Sequence, residues 1–397
     1  MRSRVCISLL IGCLFFAMGV PKGFAEEQDL APDARSAVLI DGDTGTVLFE
    51  KNSRDRLPPA SITKIMTMLL VMEDLDAGKI QLDEKVRVSE HAASMGGSQI
   101  FLEPGEQMTV RDLLKAVAIA SANDASVALA EHLAGSEEAF VKRMNERAKA
   151  LGMTDTRFQN TTGLSEPEHY TSARDIAIMS RELLKHSEIT NYTRIYQDYL
   201  RKDTKKPFWL VNTNRLVRFY PGVDGLKTGY TSEAKYCLAA TAKRGDFRLI
   251  AVVMGEPDTK ARNRDVSRML DFAFSQYTNH VVYKKGEPIG EVRIAGGDPY
   301  KLLVRSPQPL SILMKKGEKA GEFDRKIVWE NLKAPVRQGQ KLGTVRIEKE
   351  GKKVAEMEIR SPQEIPRAGL WTTIKRVMKG VFFYPEDARV PEGGKAG

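Results

Sequence analysis

Cysteine is nearly missing from this chain: Cys6 and Cys13 lie close to the N-terminus, and Cys237 is the only other one in 397 residues. A fold stapled by disulfides is thereby excluded, as is a zinc centre of the Cys/His type, so no metal is expected. Cys237 sits in the strand-like run YCLAATA and reads as a buried filler rather than a reactive thiol. A phosphate-cradling glycine loop and internal repeats are also lacking, and nothing implies a cofactor. Long apolar runs are scarce. The one from Val5 to Val20 has 16 residues, short of the roughly 20 that span a bilayer. With Arg2 and Arg4 ahead of it and Gly23-Phe24-Ala25 behind, that run makes residues 1–25 a secretory signal, and the mature chain starts near Glu26. Leu10-Ile11-Gly12-Cys13 imitates a lipidation site, but the apolar run continues for seven residues beyond Cys13, which leaves too short a hydrophobic region before that cut. Cleavage after Ala25 removes Arg2, Arg4 and Lys22 from a chain whose formal charge is +9. The excess that remains suits an exported protein near anionic lipids or wall polymers and is too small to argue for nucleic acid.

What is present supports a substantial core and more than one domain, with 42% hydrophobic and 28% charged residues. SAVLIDGDTGTVLFEKN, from Ser36, reads as strand, turn, strand. An amphipathic helix is expected from about Ser61 to Met72. The stretch from Thr109 to Gly135 gives two helical patterns broken at Ser121–Asp124, the first opened by the capping box Thr109–Asp112. A further helix covers YTSARDIAIMSRELLKH. The period then changes to that of two strands, KYCLAATAKR and FRLIAVVMGE, before a closing helix at VSRMLDFAFSQY. This order predicts an α+β unit over residues 26–280, a mixed sheet with helices on its faces. Short β-rich runs punctuated by Gly and Pro follow over 281–362, the mark of a separate small all-β domain.

Residues 363–397 differ again. Leu370, Trp371, Ile374, Val377, Met378, Val381 and Phe382 share about a 140° arc of a helix, with Lys375, Arg376 and Lys379 opposite. No acid occurs between Glu364 and Glu386. Leu370–Tyr384 is only about 20 Å long at about 1.5 Å per residue, so it is suited to lie in a membrane surface rather than cross it. Trp, Phe and Tyr beside basic residues fit the interfacial zone. The alternative is a helix docked on the β domain.

Three short motifs carry the chemistry. Ser61-Ile62-Thr63-Lys64, Ser121-Ala122-Asn123 and Lys227-Thr228-Gly229 follow one another, 60 and then 106 residues apart. A Ser-x-x-Lys match alone means little, and Ser232–Lys235 is a second one, whereas Lys-Thr-Gly arises by chance only about 0.1 times in such a length. On a helix, positions i and i+3 share a face, so Lys64 reaches the Ser61 hydroxyl. To take its proton Lys64 must be neutral, its pKa brought down by about 3 units through burial and the charge of Lys227. Ser121 is placed to relay a proton to the leaving amine, and Asn123 to hold a substrate amide. Lys227 and Thr228 suit a substrate carboxylate, while Gly229 lets a backbone approach closely. The N–H groups of Ser61 and Tyr230 would form an oxyanion hole. Taken singly, each residue also has an ordinary reading as a helix cap, loop hydrogen bonder or turn lysine.

The three motifs resemble those of penicillin-binding proteins and serine β-lactamases. LPPASITKIMT, GGSQIFLEPGE, IASANDASVALAEH, NTTGL with HYTSARD, and YPGVDGLKTGYT are similar to the low-molecular-mass D-alanyl-D-alanine carboxypeptidases, most of all the sporulation-associated group of endospore-forming bacteria. The resemblance implies a β-lactamase/transpeptidase-like catalytic domain with a mainly antiparallel sheet, a small β-sandwich-like second domain, and a C-terminal helix on the outer face of the cytoplasmic membrane. It makes Ser61 the acylated nucleophile, Lys64 its base, and Ser121 and Asn123 the relay and positioning pair. Lys227, Thr228 and Gly229 take the terminal carboxylate and substrate edge, with Arg262 assisting. The implied substrate is a peptidoglycan stem peptide ending in D-Ala-D-Ala, with β-lactam antibiotics as inhibitors. Many relatives have His where this chain has Tyr230, so only the backbone role carries over. Two rivals stand beside this reading. A β-lactamase is suggested by Glu166-Pro167-Glu168, which begins like the water-activating signature of class A enzymes but lacks its Leu-Asn ending, so Glu166 is expected to be a solvated loop acid. A wall-peptide binding module without turnover is the other. Transfer to an amine instead of water stays open.

Overall fold

A computed structural model describes residues 29–318 and 323–382. The expected signal peptide and Tyr384 lie outside the described residues. The principal elements of the first unit are β1 (Ser36–Asp41), β2 (Val47–Lys51), α1 (Lys64–Asp76), α2 (Val110–Ala120), α3 (Asn123–Ala134), α4 (Ala173–Leu183), β3 (Val223–Thr231), β4 (Lys235–Arg244), β5 (Phe247–Glu256) and α5 (Thr259–Gln276). The five strands form one sheet in the order β2-β1-β5-β4-β3. Its pairings are antiparallel throughout rather than mixed. β1 is buried along its whole length because the sheet is covered on both sides. Val38 and Ile40 point into a core shared with α1 to α4, while Ala37 and Leu39 point into one shared with α5, the two-residue alternation of a strand.

Helix α1 is the hub. Residues Lys64 to Met72 are all buried, so the helix is enclosed on every side instead of presenting the polar face expected of an amphipathic one. The helix begins at Lys64, not at Ser61: Ala60–Thr63 form a tight 3-10 turn in front of it. Thr109 caps α2 as expected, accepting from the Asp112 N–H. The Lys-Thr-Gly motif lies inside edge strand β3, which begins at Val223 and is a strand the sequence reading did not include.

From Tyr277 the chain is β-rich. Strands Tyr277–Tyr283 and Leu310–Lys315 pair, Pro288–Ala295 pairs with Lys301–Arg305 and Leu332–Lys333, and Asp324–Trp329, Lys341–Lys349 and Lys352–Arg360 form a third sheet. These enclose a separate apolar cluster running from Val282 to Ile365. Asn279 and Ser311 tie this unit to the first, donating to the carboxylates of Asp41 and Asp43. The last helix, α6 (Leu370–Phe382), leaves Leu370 and Trp371 about three-quarters exposed and Ile374 and Met378 exposed. Its Arg376 donates to Gly297 O at 2.6 Å and to Asp298 at 3.0 Å. The polar side of α6 therefore touches the β unit, and no helix among the described residues is long and apolar enough to cross a membrane.

Candidate active site

The turn before α1 sets the first two residues. Ala60 takes φ +46°, a left-handed conformation that is strained for alanine. Ser61 caps nothing with its side chain. Its hydroxyl instead accepts from Lys64 Nζ at 3.0 Å. Lys64 is wholly buried and also donates to Asn123 Oδ1 at 2.7 Å and Thr162 O at 2.6 Å. No carboxylate lies within ion-pair distance of it among the described residues. Burial, and then the charge of Lys227, pull its pKa well below the ordinary lysine value, with Asp124 opposing weakly. Three acceptors thus hold the amine in place while its surroundings disfavour the ammonium.

Ser121 and Asn123 flank the break between α2 and α3. Ser121 sits at φ +63° as the C-cap of α2 and lines the same groove as Ser61. Asn123 begins α3. It was expected to hold a substrate amide; its Oδ1 accepts from Lys64 Nζ and its Nδ2 donates to Gly96 O at 2.6 Å. Asn123 therefore positions Lys64, and one lone pair on Oδ1 and one N–H on Nδ2 remain for the expected substrate amide. Three contributors were missed in the sequence. The Asp124 carboxylate accepts from the N–H groups of Ile100 and Leu102, tying down the loop that carries Ser98. Thr162 supplies a backbone carbonyl, which any residue type carries. Gly163, at φ +82°, packs so tightly that an added Cβ would lie 1.8 Å from Ala60 O. Only the quoted NTTGL stretch hinted at these two, without giving them a role.

On the other wall, Lys227 is buried, donates to Thr228 O at 2.8 Å, and has its pKa lowered to about 7 by burial and by Arg262. Thr228 donates to Thr213 Oγ1 at 2.7 Å. The close approach at Gly229 is made by the chain's own Pro59–Ile62 turn, not by a ligand: a Cβ there would lie 2.9 Å from Pro59 O. This contact locks edge strand β3 against the Ser61 turn. Tyr230 is exposed and stacks on Tyr236 with ring centroids 4.4 Å apart. Arg262 is buried on α5 and donates twice to Asn263 Oδ1. Ser61, Ser121, Thr228, Gly229, Tyr230 and Arg262 line one groove of about 580 Å³. The decoy pair Ser232 and Lys235 lies exposed at the β3–β4 turn.

The chain that carries this site is similar to known proteins. Residues 22–258 match the D-alanyl-D-alanine carboxypeptidase family of peptidases, and residues 277–367 match the C-terminal domain of penicillin-binding protein 5. The chain belongs to the D-alanyl-D-alanine carboxypeptidase family. It is 54% identical over 381 residues to the D-alanyl-D-alanine carboxypeptidase DacF of Bacillus subtilis, covering 94% of this chain and 98% of that protein. It is 34% identical to DacC of Escherichia coli over 93% of this chain and 94% of that one. Among solved structures, penicillin binding protein 5 from Haemophilus influenzae superimposes with a TM-score of 0.66 at 32% identity, covering 84% of this chain and 98% of that one. The fold of this carboxypeptidase is accordingly the expected α+β catalytic domain with an all-β companion. Glu166 of this family member is exposed and does not line the groove. The neighbouring His169 is the buried residue: its Nδ1 accepts from Gln159 N–H at 3.2 Å, so Nε2 carries the proton towards Thr63 Oγ1 at 2.9 Å. Burial lowers its pKa to about 4, so it braces the Ser61 turn as a neutral group.

Proposed function

We propose that this carboxypeptidase releases the terminal D-Ala from peptidoglycan stem peptides ending in D-Ala-D-Ala by way of an acyl-enzyme on Ser61. The observation that carries the reading is the Lys64 amine, buried with no counter-ion among the described residues and 3.0 Å from the Ser61 hydroxyl. Lys64 takes the hydroxyl proton as Oγ attacks the carbonyl of the penultimate residue, and the N–H groups of Ser61 and Tyr230 receive the oxyanion. Ser121 passes a proton to the departing nitrogen. The C–N bond breaks, D-Ala leaves, and water then attacks the ester to free the shortened peptide and restore Ser61. Lys227, Thr228 and Arg262 hold the terminal carboxylate. β-Lactams acylate the same serine. With Glu166 outside the groove and no Asp or Glu lining it among the described residues, the water-activating carboxylate of a class A β-lactamase has no counterpart there, so the penicilloyl-enzyme is expected to persist. Incubation of the mature protein with a peptide ending in D-Ala-D-Ala should release D-Ala, and Ser61→Ala should lower the rate by about 10⁴-fold or more and abolish penicillin labelling. Rapid turnover of penicillin, or peptide binding without release, would overturn the assignment.

The same protein is proposed to act at the outer face of the cytoplasmic membrane, exported by residues 1–25 and held by α6. The outward apolar residues Leu370, Trp371, Ile374 and Met378 support this, since the β unit leaves them uncovered. Truncation before Pro366 should leave activity on soluble peptide intact and remove binding to anionic vesicles, measured by co-sedimentation. Undiminished sedimentation of the truncated protein would sink the membrane role.

A further inference from the structure

One carboxylate behind the catalytic pair serves both of the loops that hold it. Glu137 opens the helix Glu137–Ala150, and its side chain is only 13% exposed. Its Oε1 accepts from the Thr161 N–H at 3.0 Å and from the Thr161 hydroxyl at 2.8 Å. Its Oε2 accepts from His91 Nε2 at 3.0 Å. Thr161 is buried, and its carbonyl accepts from Thr67 of α1 and Ser126 of α3. The residue after it supplies Thr162 O, the acceptor 2.6 Å from Lys64 Nζ. His91 lies in the short helix Glu90–Ala93, from which the chain runs on to Gly96 and Ser98. Gly96 O accepts from the Asn123 side chain at 2.6 Å and Ser98 O from the Asn123 N–H at 2.7 Å. Oε1 of Glu137 therefore fixes the loop that holds Lys64, and Oε2 fixes the loop that holds Asn123, whose Oδ1 meets the same amine. An acid at a helix start is favourable for its charge alone, but that does not call for these contacts: Glu138, in the same turn, is exposed.

We propose that Glu137 is a positioning residue for acylation, clamping the Thr161–Gly163 and Gly96–Ser98 loops together so that the Lys64 amine stays within reach of Ser61. The inference rests on the Ser61 acyl-enzyme reading. Glu137 moves no proton itself; it acts through two backbone carbonyls, Thr162 O and Gly96 O. Hydrogen bonds to a carboxylate are the shorter and stronger kind, and the one from His91 raises that imidazole's pKa. Without Glu137 the buried Thr161 N–H and hydroxyl lose their acceptor, and an unpaired buried donor is costly enough to move a loop towards water. Such a shift takes Thr162 O away from Lys64. Release of His91 loosens the approach to Gly96 at the same time, so both restraints on the amine weaken together.

The test uses the full mature chain and a fluorescent penicillin, and stopped flow reads the limiting acylation rate. Glu137→Ala should lower that rate by about 10–10²-fold, the cost of displacing a catalytic group by an ångström or less. Glu137→Gln keeps an acceptor for Thr161 and a polar end for His91, so it should return to within about threefold of the wild type. Glu138→Ala removes the neighbouring acid from the same helix turn and should leave the rate unchanged. A defect that reflects only a loosened fold would add to any other, whereas one that acts through Lys64 would not, so Glu137→Ala should cost nothing further in Lys64→Gln. Wild-type acylation by Glu137→Ala, no recovery in Glu137→Gln, an equal loss in Glu138→Ala, or full additivity with Lys64→Gln would each overturn the proposal. Should Glu137→Ala not fold, Glu137→Asp takes its place. It keeps the charge, but a side chain one methylene shorter cannot hold Thr161 and His91 together, so acylation should fall by about tenfold, and a wild-type rate would overturn the proposal. Absence of acylation in the wild type would instead overturn the catalytic reading beneath it.

Discussion

Gly163→Ala is expected to slow penicillin acylation and D-Ala release together by about 10²-fold or more, even though Gly163 bears no reactive group. The added Cβ would lie 1.8 Å from Ala60 O, 2.3 Å from Ala60 C and 2.9 Å from Ser61 N. All three are backbone atoms of the turn that aims the nucleophile, and Ala60 is already at φ +46°. Relief requires moving the Ala60–Ser61 peptide by more than an ångström or withdrawing the loop. Withdrawal takes Thr162 O away from the Lys64 amine, so either response misplaces one half of the catalytic pair. The positive φ of +82° at this position adds about 1–3 kcal/mol of strain, visible as a lower thermal midpoint. Gly152→Ala is the matched control: its φ is +74° and nothing lies within 4 Å, so it should lose stability and keep its acylation rate. Wild-type labelling of Gly163→Ala would show that the turn does not depend on this contact.

That prediction rests on a residue the sequence did not single out, and the reason is physical. Ser61, Lys64, Ser121 and Lys227 were legible because their chemistry resides in side chains and their motifs recur in a fixed order. Thr162 acts through a carbonyl, and it meets Lys64 across 98 residues of chain. Periodicity reports nothing about such a contact. The two glycines with the tightest packing against the Ser61 turn, Gly163 and Gly229, both exclude a Cβ, yet only the second lies in a motif. Strands β4 and β5 were readable to the residue. The two residues between them leave only an antiparallel pairing, whereas the direction of β1 was not readable, because it is covered on both faces and reads as an apolar run whether parallel or antiparallel. The onset of α1 was misplaced for a similar reason. A 3-10 turn and the first turn of an α-helix present nearly the same side-chain pattern, and the difference lies in the backbone of Ala60–Thr63.

Lys64→Gln should lower the acylation rate by about 10³–10⁴-fold at neutral pH, the range expected for removing a positioned general base. Its pH profile should change shape as well as height. In the wild type Lys64 must be neutral, so kcat/KM rises with pH through its depressed pKa. Lys227 must be charged to hold the carboxylate, so kcat/KM falls as pH rises through about 7. The substitution should erase the acid limb attributable to Lys64 and leave the alkaline limb, because Lys227 is untouched. Asn123 supplies the decisive comparison. If it acts by holding the Lys64 amine at 2.7 Å, Asn123→Ala costs about 10–10²-fold in the wild type and nothing further in Lys64→Gln. If it held a substrate amide directly, its loss would add to that of Lys64 and would raise KM in both backgrounds. Non-additivity with an unchanged KM is the expected outcome, since Asn123 Oδ1 already holds the Lys64 amine and Nδ2 is anchored on Gly96 O.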